Sequence, residues 1–167
     1  IEFEAFKDQV IFDGQEVLTL AGKPFTVFTP YKRAWLKRLA EDDLAPYSTE
    51  QGRLVTSKAA SRLPSLPDIG FATTNLSTLG IIPGMNGARQ LTDDFCSRIG
   101  RYAEQRDFPA IKGVSYLSVH LRFGTISIRE LASRALAFGA GMGDAGAATW
   151  LSELIWREVY FMILDHF

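Results

Sequence analysis

The clearest pattern of apolar and polar positions lies at the end of the chain, from Trp150 to Phe167. Apolar side chains recur at helical spacing and would share one arc of a helix: Leu151, Leu154, Ile155, Val159 and Met162. A second arc, at positions i, i+3, i+4 and i+7, carries an acid, an indole, a guanidinium and a phenol: Glu153, Trp156, Arg157 and Tyr160. The spacing predicts a helix that is buried on one side and lines a cavity on the other. A plainer interpretation is a core helix whose rings fill space while its charges pair at the rim.

A helical pattern begins beyond Arg89 and continues to the end of the chain. Thr92, which two aspartates follow, predicts an N-cap and an acidic first turn. The helix that it would open carries Phe95, Ile99 and Tyr102 at apolar positions. The chain beyond residue 90 is therefore expected to be helical.

Further helices are predicted toward the C-terminus. A short one begins near Leu117 and carries His120 toward Gly124. Residues 127–130, Ser-Ile-Arg-Glu, have the form of a capping box and predict a longer helix that Gly139 ends. The last helix is predicted to begin near Ala145.

The first part of the chain has a different pattern. Residues 1–6 alternate between apolar and polar side chains and predict a strand, and a second extended piece is expected around residues 25–28. A helix is predicted from Tyr31 to about Ala40, with Pro30 near its start. Residues 41–89 are rich in Pro, Gly, Ser and Thr and predict a long connector. Both ends of the chain fall inside predicted elements, so we expect that the chain is part of a longer protein.

Composition excludes several classes of protein. The formal net charge is -1, with 18 Lys and Arg against 19 Asp and Glu, which argues against a protein that is basic all over. The single Cys96 cannot form an internal disulfide, and His120 and His166 have no ligand-like neighbours, so no metal site is predicted. No run approaches the roughly 20 apolar residues of a membrane span. We expect a cytoplasmic protein without membrane contact.

One literal motif does not predict its usual ligand. Residues 141–146 spell G-x-G-x-x-G, which binds dinucleotides where a strand turns into a helix. Here a predicted helix precedes the glycines. They are expected to allow a flexible turn between two helices.

Four sequence blocks carry a resemblance to a known family. WLSELIWREVYF, at residues 150–161, closely resembles the WLNELIWREFY helix of DNA photolyases of the photolyase/cryptochrome family. YAEQRDFPA (102–110), GVSYLSVHLRFGTISIRE (113–130) and VFTPYKRAWLKRL (27–39) resemble other family blocks, in the family's order. The resemblance implies a mainly α fold, the first part of a helical FAD-binding domain. Residues 90–167 would be that part, residues 29–89 a helix and long connector, and residues 1–28 the tail of an α/β antenna domain.

The resemblance also implies a set of flavin contacts. Hydroxyl and backbone N–H groups at the start of a short helix suit a pyrophosphate, and the family's T-S-R-L-S segment contacts FAD there. In this chain the corresponding residues include Val114 for Thr and Tyr116 for Arg, which removes a hydroxyl and a positive charge. The implied cofactor-binding residues are Tyr102, Val114, Ser115, Tyr116, Leu117, Ser118, Trp150 and Arg157. An antenna chromophore of folate or deazaflavin type is expected in the parent protein, outside this segment.

The implied substrate is DNA that contains pyrimidine dimers. A dimer must be flipped out of the duplex and held by stacking and by hydrogen bonds to its edges. By resemblance, Glu153 and Trp156 are the catalytic pair, with Glu153 on the polar edge of the dimer and Trp156 against its bases. Arg106 is expected to contact a DNA phosphate, or alternatively to pair with Asp107 or Glu104. The implied DNA-binding residues are Arg106, Glu153, Trp156, Arg157 and Tyr160.

The activity that the resemblance implies is light-driven repair of cyclobutane pyrimidine dimers by electron transfer from reduced FAD, in a class I-like photolyase. The parent protein is expected to be a monomer without an obligate protein partner. Two other classes stay open: a cryptochrome-like photoreceptor that binds FAD without repairing DNA, and an inert helical fragment. The 167 residues alone are expected to be inactive.

Overall fold

The computed structural model describes residues 2–4, 6–47, 52, 62–72, 74–142 and 144–167, and the described part is helical, as predicted. Its α-helices are α1 (Phe28–Arg38), α2 (Gly84–Cys96), α3 (Tyr102–Gln105), α4 (Ser118–Arg122), α5 (Ile128–Met142) and α6 (Ala145–His166). Short 3-10 turns lie at Glu41–Leu44, Pro67–Ile69, Leu76–Leu79 and Ile99–Arg101. None of these helices is both long and apolar enough to cross a bilayer.

Helix α6 is the centre of the fold, since α1, α3, α5 and the turn at Ile99–Arg101 all pack against it. The predicted apolar arc is buried in the core: Leu151, Leu154, Ile155, Val159 and Met162. Asp144 begins the helix, because its Oδ1 accepts hydrogen bonds from the backbone N–H groups of Gly146 (2.7 Å) and Ala147 (3.3 Å). The helix therefore starts where the sequence predicts.

Gly146 has a packing role that the G-x-G-x-x-G motif does not suggest. It lies inside the first turn of α6, where a Cβ atom would come within 2.1 Å of the carbonyl oxygen of Ile99. Only glycine lets the backbone of α6 approach the Ile99–Arg101 turn this closely.

The backbone of residues 9–12, which we call the anchor segment, is held by charged side chains rather than by a neighbouring strand. The buried Glu158 of α6 accepts hydrogen bonds from the N–H groups of Ile11 and Phe12, the second at 3.3 Å. The same carboxylate accepts a third hydrogen bond, at 2.6 Å, from the indole Nε1 of Trp35 in α1. One side chain thus fixes the anchor segment and α1 to α6.

Two arginines bind the carbonyl groups of the same segment. Arg157 of α6 donates to the carbonyl of Gln9, and Arg129 of α5 donates to that of Val10 at 3.4 Å. Backbone groups that no helix or sheet satisfies need such partners when they are buried. The anchor segment is therefore a buried, irregular stretch with its polar groups paired to α5 and α6.

The structure corrects the predictions for the first half of the chain. Residues 2–4 and 6 are not in a strand, and no neighbouring strand exists in the described residues to pair with them. Helix α1 begins at Phe28 rather than at Tyr31, so Phe28 is helical and not extended.

Helix α2 begins at Gly84, inside the predicted connector, and not at Thr92. Thr92 is buried in the helix, and its hydroxyl donates to the carbonyl of Ala88 at 2.8 Å. The intrinsic helix propensity of this stretch is low, because Gly84 and Gly87 lie in its first turns. Packing of the buried Gly87 and Ala88 stabilises the helix. Helix α5 also continues past Gly139 to Met142. The short helix α4 agrees with its prediction.

We predict that Glu158→Gln destabilises the chain by about 1–3 kcal/mol, because an amide cannot accept all three hydrogen bonds that the carboxylate accepts. Urea unfolding measures the change, with the exposed Glu104→Gln as control.

Burial raises the pKa of Glu158, so the native state holds the proton of this carboxyl group more tightly than the unfolded state does. The stability of the wild type therefore falls as pH rises above the unfolded pKa of about 4.3. The advantage of the wild type over Glu158→Gln should shrink as pH rises from the unfolded pKa through the higher native pKa, and a growing advantage would contradict the prediction.

Candidate functional site

The polar-aromatic face of α6 is divided among three neighbours. Glu153 contacts Arg106 directly after α3, Trp156 contacts α1, and Arg157 contacts the anchor segment. The four side chains that the sequence placed on one face are thus on one face of α6, but they do not form one contiguous cluster.

Glu153 forms an ion pair with Arg106, which follows α3. The Nε of Arg106 also lies 3.6 Å from the Oδ1 of Asp107. The hydrogen bond to Glu153 raises the pKa of Arg106. The guanidinium carbon of Arg106 lies 5.9 Å from the ring centroid of Tyr102, whose pKa is raised by burial and also by the nearby Glu153 carboxylate. Three predicted site residues, Tyr102, Arg106 and Glu153, are therefore brought together.

The half-buried Trp156 ring is paired with two other rings. Phe28 of α1 stacks on it with centroids 3.9 Å apart and an interplanar angle of 5°. Tyr160, one turn further along α6, stacks at 5.9 Å and 26°. One face of the indole is thus covered by a residue of this chain.

Trp150 and Tyr102, both implied flavin contacts, lie in the core around Phe95 of α2. The Phe95 ring is edge-on to Tyr102 at 5.5 Å and tilted against Trp150 at 4.7 Å. Both side chains are largely buried, Tyr102 at 8% exposure and Trp150 at 3%. Both rings contact Phe95, although they are distant from each other in sequence.

The segment 114–118 forms a tight turn into α4. Arg98 holds this turn by donating to the carbonyl of Val114 at 2.8 Å. Tyr116 has a φ of 58°, a left-handed conformation that few non-glycine residues adopt, and its ring is half-exposed. Leu117 is buried, Ser115 is partly buried, and Ser118 is the exposed first residue of α4.

Ser118 and Arg157 share a groove of about 300 Å³. The other residues that line this groove are Gln9, Leu121, Arg122 and Phe161. The Arg157 guanidinium lies 4.6 Å from the Phe161 ring centroid, and burial lowers the pKa of Arg157. The groove thus combines a hydroxyl, two guanidiniums and apolar walls. Of the predicted flavin contacts, Ser118 and Arg157 come together in this groove, whereas Tyr102 and Trp150 lie around Phe95.

The sequence reasoning missed three residues that shape the site: Phe28, Arg98 and Glu158. Glu158 could have been found, because it lies within the apolar arc of α6, and a charge at such a position predicts a buried hydrogen-bond network. Phe28 and Arg98 gave no such signal, since their contacts with Trp156 and Val114 depend on the tertiary fold. In the described part of the chain, no three His, Cys, Asp or Glu side chains are grouped as a metal site would need.

The chain is similar to proteins of known class. It is 36% identical to deoxyribodipyrimidine photo-lyase of Escherichia coli strain K12 over 165 residues, which are 98% of the chain and 34% of that relative. It is also 36% identical to deoxyribodipyrimidine photo-lyase of Halobacterium salinarum over 168 residues, 95% of the chain and 34% of the relative. No protein-family model matches.

A solved structure supports the same assignment. The crystal structure of a bacterial class III photolyase from Agrobacterium tumefaciens matches 97% of the chain with a TM-score of 0.80 and 27% identity. The match covers 34% of that protein. The chain therefore belongs to the photolyase family, and it spans about one third of the length of these relatives.

We predict that the Phe28–Trp156 stack contributes about 0.5–1.5 kcal/mol beyond the area that it buries. A double-mutant cycle of Phe28→Leu and Trp156→Leu, followed by urea unfolding, measures this coupling energy. A control cycle pairs Phe28→Leu with Phe123→Leu, whose exposed ring lies outside the stack, and its coupling should be near zero. Equal coupling in both cycles would rule out a specific stack.

Proposed function

We propose that this chain is part of a photolyase that repairs cyclobutane pyrimidine dimers in DNA under blue light. The observation that carries the proposal is the pairing of Glu153 with Arg106 beside Trp156 on one face of α6. An acid, a cation and an indole at this spacing match what a flipped dimer requires. The similarity to deoxyribodipyrimidine photo-lyases over almost the whole chain supports it.

Glu153 and Trp156 are the proposed catalytic residues. The Glu153 carboxylate would bind the polar edge of the dimer, and the Trp156 ring would stack on its bases. Arg106 can serve both partners, because a guanidinium has five N–H donors and can hold Glu153 while it binds a DNA phosphate. Tyr160, exposed beside Trp156, would extend the contact surface.

The groove between α4 and α6 suits part of FAD. Ser118 supplies a hydroxyl, Arg122 and Arg157 supply cations for a pyrophosphate, and Leu121 and Phe161 supply apolar contact. Tyr116, which stands where the family has Arg, does not line this groove, whereas Arg122 brings a cation to it. When bound, reduced FAD supplies a light-excited electron to the dimer, and this chemistry belongs to the cofactor. The residues of the chain hold the flavin, orient the dimer and limit the access of water.

We propose the following domain division and setting for the parent protein. Residues 1–28 would be the tail of an antenna domain, residues 29–89 a helix and a long connector, and residues 90–167 the start of the FAD-binding domain. The antenna chromophore, the monomeric state and the cytoplasmic location belong to the proposed parent protein. We propose that these 167 residues do not repair DNA by themselves.

A second candidate is a flavin-binding photoreceptor without repair activity. Its support is the stack of Phe28 on Trp156 at 3.9 Å, which occupies one ring face that a dimer would need. For repair, the dimer must use the opposite face of the indole, or Phe28 must move away.

We predict that the protein carrying this chain binds FAD and repairs thymine-dimer DNA under blue light. Trp156→Ala should weaken binding of dimer-containing DNA by about 5- to 150-fold, because stacking on one base contributes about 1–3 kcal/mol. Affinity for dimer-containing DNA, flavin absorption and light-dependent repair are measured together, with the exposed Phe123→Ala as control. Bound flavin without repair would favour the photoreceptor, and unchanged DNA affinity would contradict the role of Trp156.

We also predict that Arg106→Gln weakens DNA binding similarly for every sequence and lowers the slope of log K against log salt by about 1, as loss of one phosphate contact does. Fluorescence anisotropy at several salt concentrations measures the slope. The matched control is Arg101→Gln, whose exposed side chain belongs to the neighbouring turn. An unchanged slope in Arg106→Gln would show that Arg106 only positions Glu153.

A further inference from the structure

Arg129, the second residue of α5, is a buried cation whose charge the proposed function does not use. Its exposure is 6%, yet within the described ranges no carboxylate lies at ion-pair distance from it. Its partners are neutral: the Val10 carbonyl at 3.4 Å and the Tyr47 hydroxyl at 3.0 Å. The guanidinium carbon also lies 4.7 Å from the Tyr47 ring centroid. A buried charge without an opposite charge is costly, so an anionic partner would stabilise this site.

Arg129 lines a cavity of about 280 Å³ together with Arg157. Arg157 likewise has no carboxylate at ion-pair distance in the part of the chain that the structure describes. The neutral polar groups on the cavity wall are Gln9, Tyr47 and Ser127, and the acid on the wall is the exposed Asp8. The cavity therefore has two guanidiniums against one solvated carboxylate.

The donors of Arg129 are only partly used. Both of its side-chain hydrogen bonds come from Nη2, which leaves Nε and Nη1 without a partner among the described residues. Both atoms reach solvent. In the described part of the chain, the one fully buried side-chain nitrogen or oxygen without a hydrogen-bond partner is a different atom, Nε2 of His120. The N-terminus of α5, where Ile128 and Arg129 lie on the cavity wall, adds a positive helix end. N–H donors are thus available where the charge is unpaired.

We propose that this cavity binds a phosphate group between Arg129 and Arg157. Guanidiniums bind phosphate oxygens through paired N–H donors, which suits two arginines on one wall. The cavity volume of about 280 Å³ is several times the roughly 30 Å³ that one water molecule takes in the liquid. The cavity therefore has room for a phosphate together with water. The cavity adjoins the flavin groove along α4 and is distinct from it, although Gln9, Leu121 and Arg157 border both.

The test uses inorganic phosphate and the chain itself, with binding followed by ³¹P NMR titration and by the shift in Tm. Phosphate should bind and raise Tm at an ionic strength that is matched with chloride. Arg129→Gln should weaken phosphate binding by about 10- to 100-fold, the size of a lost charged hydrogen bond. If Arg129→Gln does not fold, Arg129→Lys is used instead. This variant keeps the charge, and it should still weaken binding because lysine lacks the planar fork of a guanidinium. The exposed Arg33→Gln is the control and should bind as the wild type does.

Equal binding by the Arg129 variants, or an equal Tm shift with chloride, would overturn the proposal. A further arm adds FAD or riboflavin, which lacks phosphate. If FAD displaces phosphate and riboflavin does not, the cavity holds the cofactor's own phosphate and a separate site is refuted. Phosphate binding in the absence of flavin needs no repair activity, so failure of this proposal is distinguishable from failure of the proposed photolyase function.

Discussion

The fold depends on the pairing of the anchor segment's backbone with charged side chains of α5 and α6. Glu158 accepts from two N–H groups of this segment and from the Trp35 indole, while Arg129 and Arg157 donate to its carbonyls. An irregular segment can be buried only if its polar groups find partners. Because these partners are side chains rather than a strand, the N-terminal part of the chain is tied directly to the helix that carries the candidate site.

This arrangement explains how one helix serves several purposes. Apolar side chains of α6 fill the core, Glu158 and Arg157 fasten the anchor segment, and Glu153 and Trp156 face outward toward Arg106 and Phe28. The residues that hold the helix are next to the residues that the proposed chemistry needs. Rigid support of this kind keeps a site in a productive geometry.

The sequence predicted the helices whose apolar period is strong, and it failed where tertiary packing decides. The arc of Leu151 to Met162 is a local signal, so α6 was predicted, and its predicted start near Ala145 agrees with the structure. The start of helix α2 was predicted at Thr92 instead of Gly84, because Gly84 and Gly87 lower the intrinsic helix propensity of its first turns. The alternation of residues 1–6 predicted a strand, although the described residues supply no partner strand. In the candidate site, residue types on α6 were predictable from spacing, whereas the Arg106–Glu153 pair and the Phe28–Trp156 stack join distant positions.

The adjacency of Arg157 and Glu158 has a consequence for the register of α6. Consecutive residues of a helix point about 100° apart, so a cation faces a carbonyl and an anion faces N–H groups of the same segment. A slip of α6 by one residue in one direction would bring the carboxylate toward the carbonyl, and a slip in the other direction would bring the guanidinium toward the N–H groups. Either slip creates a repulsive contact in a buried place. The hydrophobic arc alone tolerates small rotations, whereas this ordered pair of charges specifies a single alignment of helix and segment.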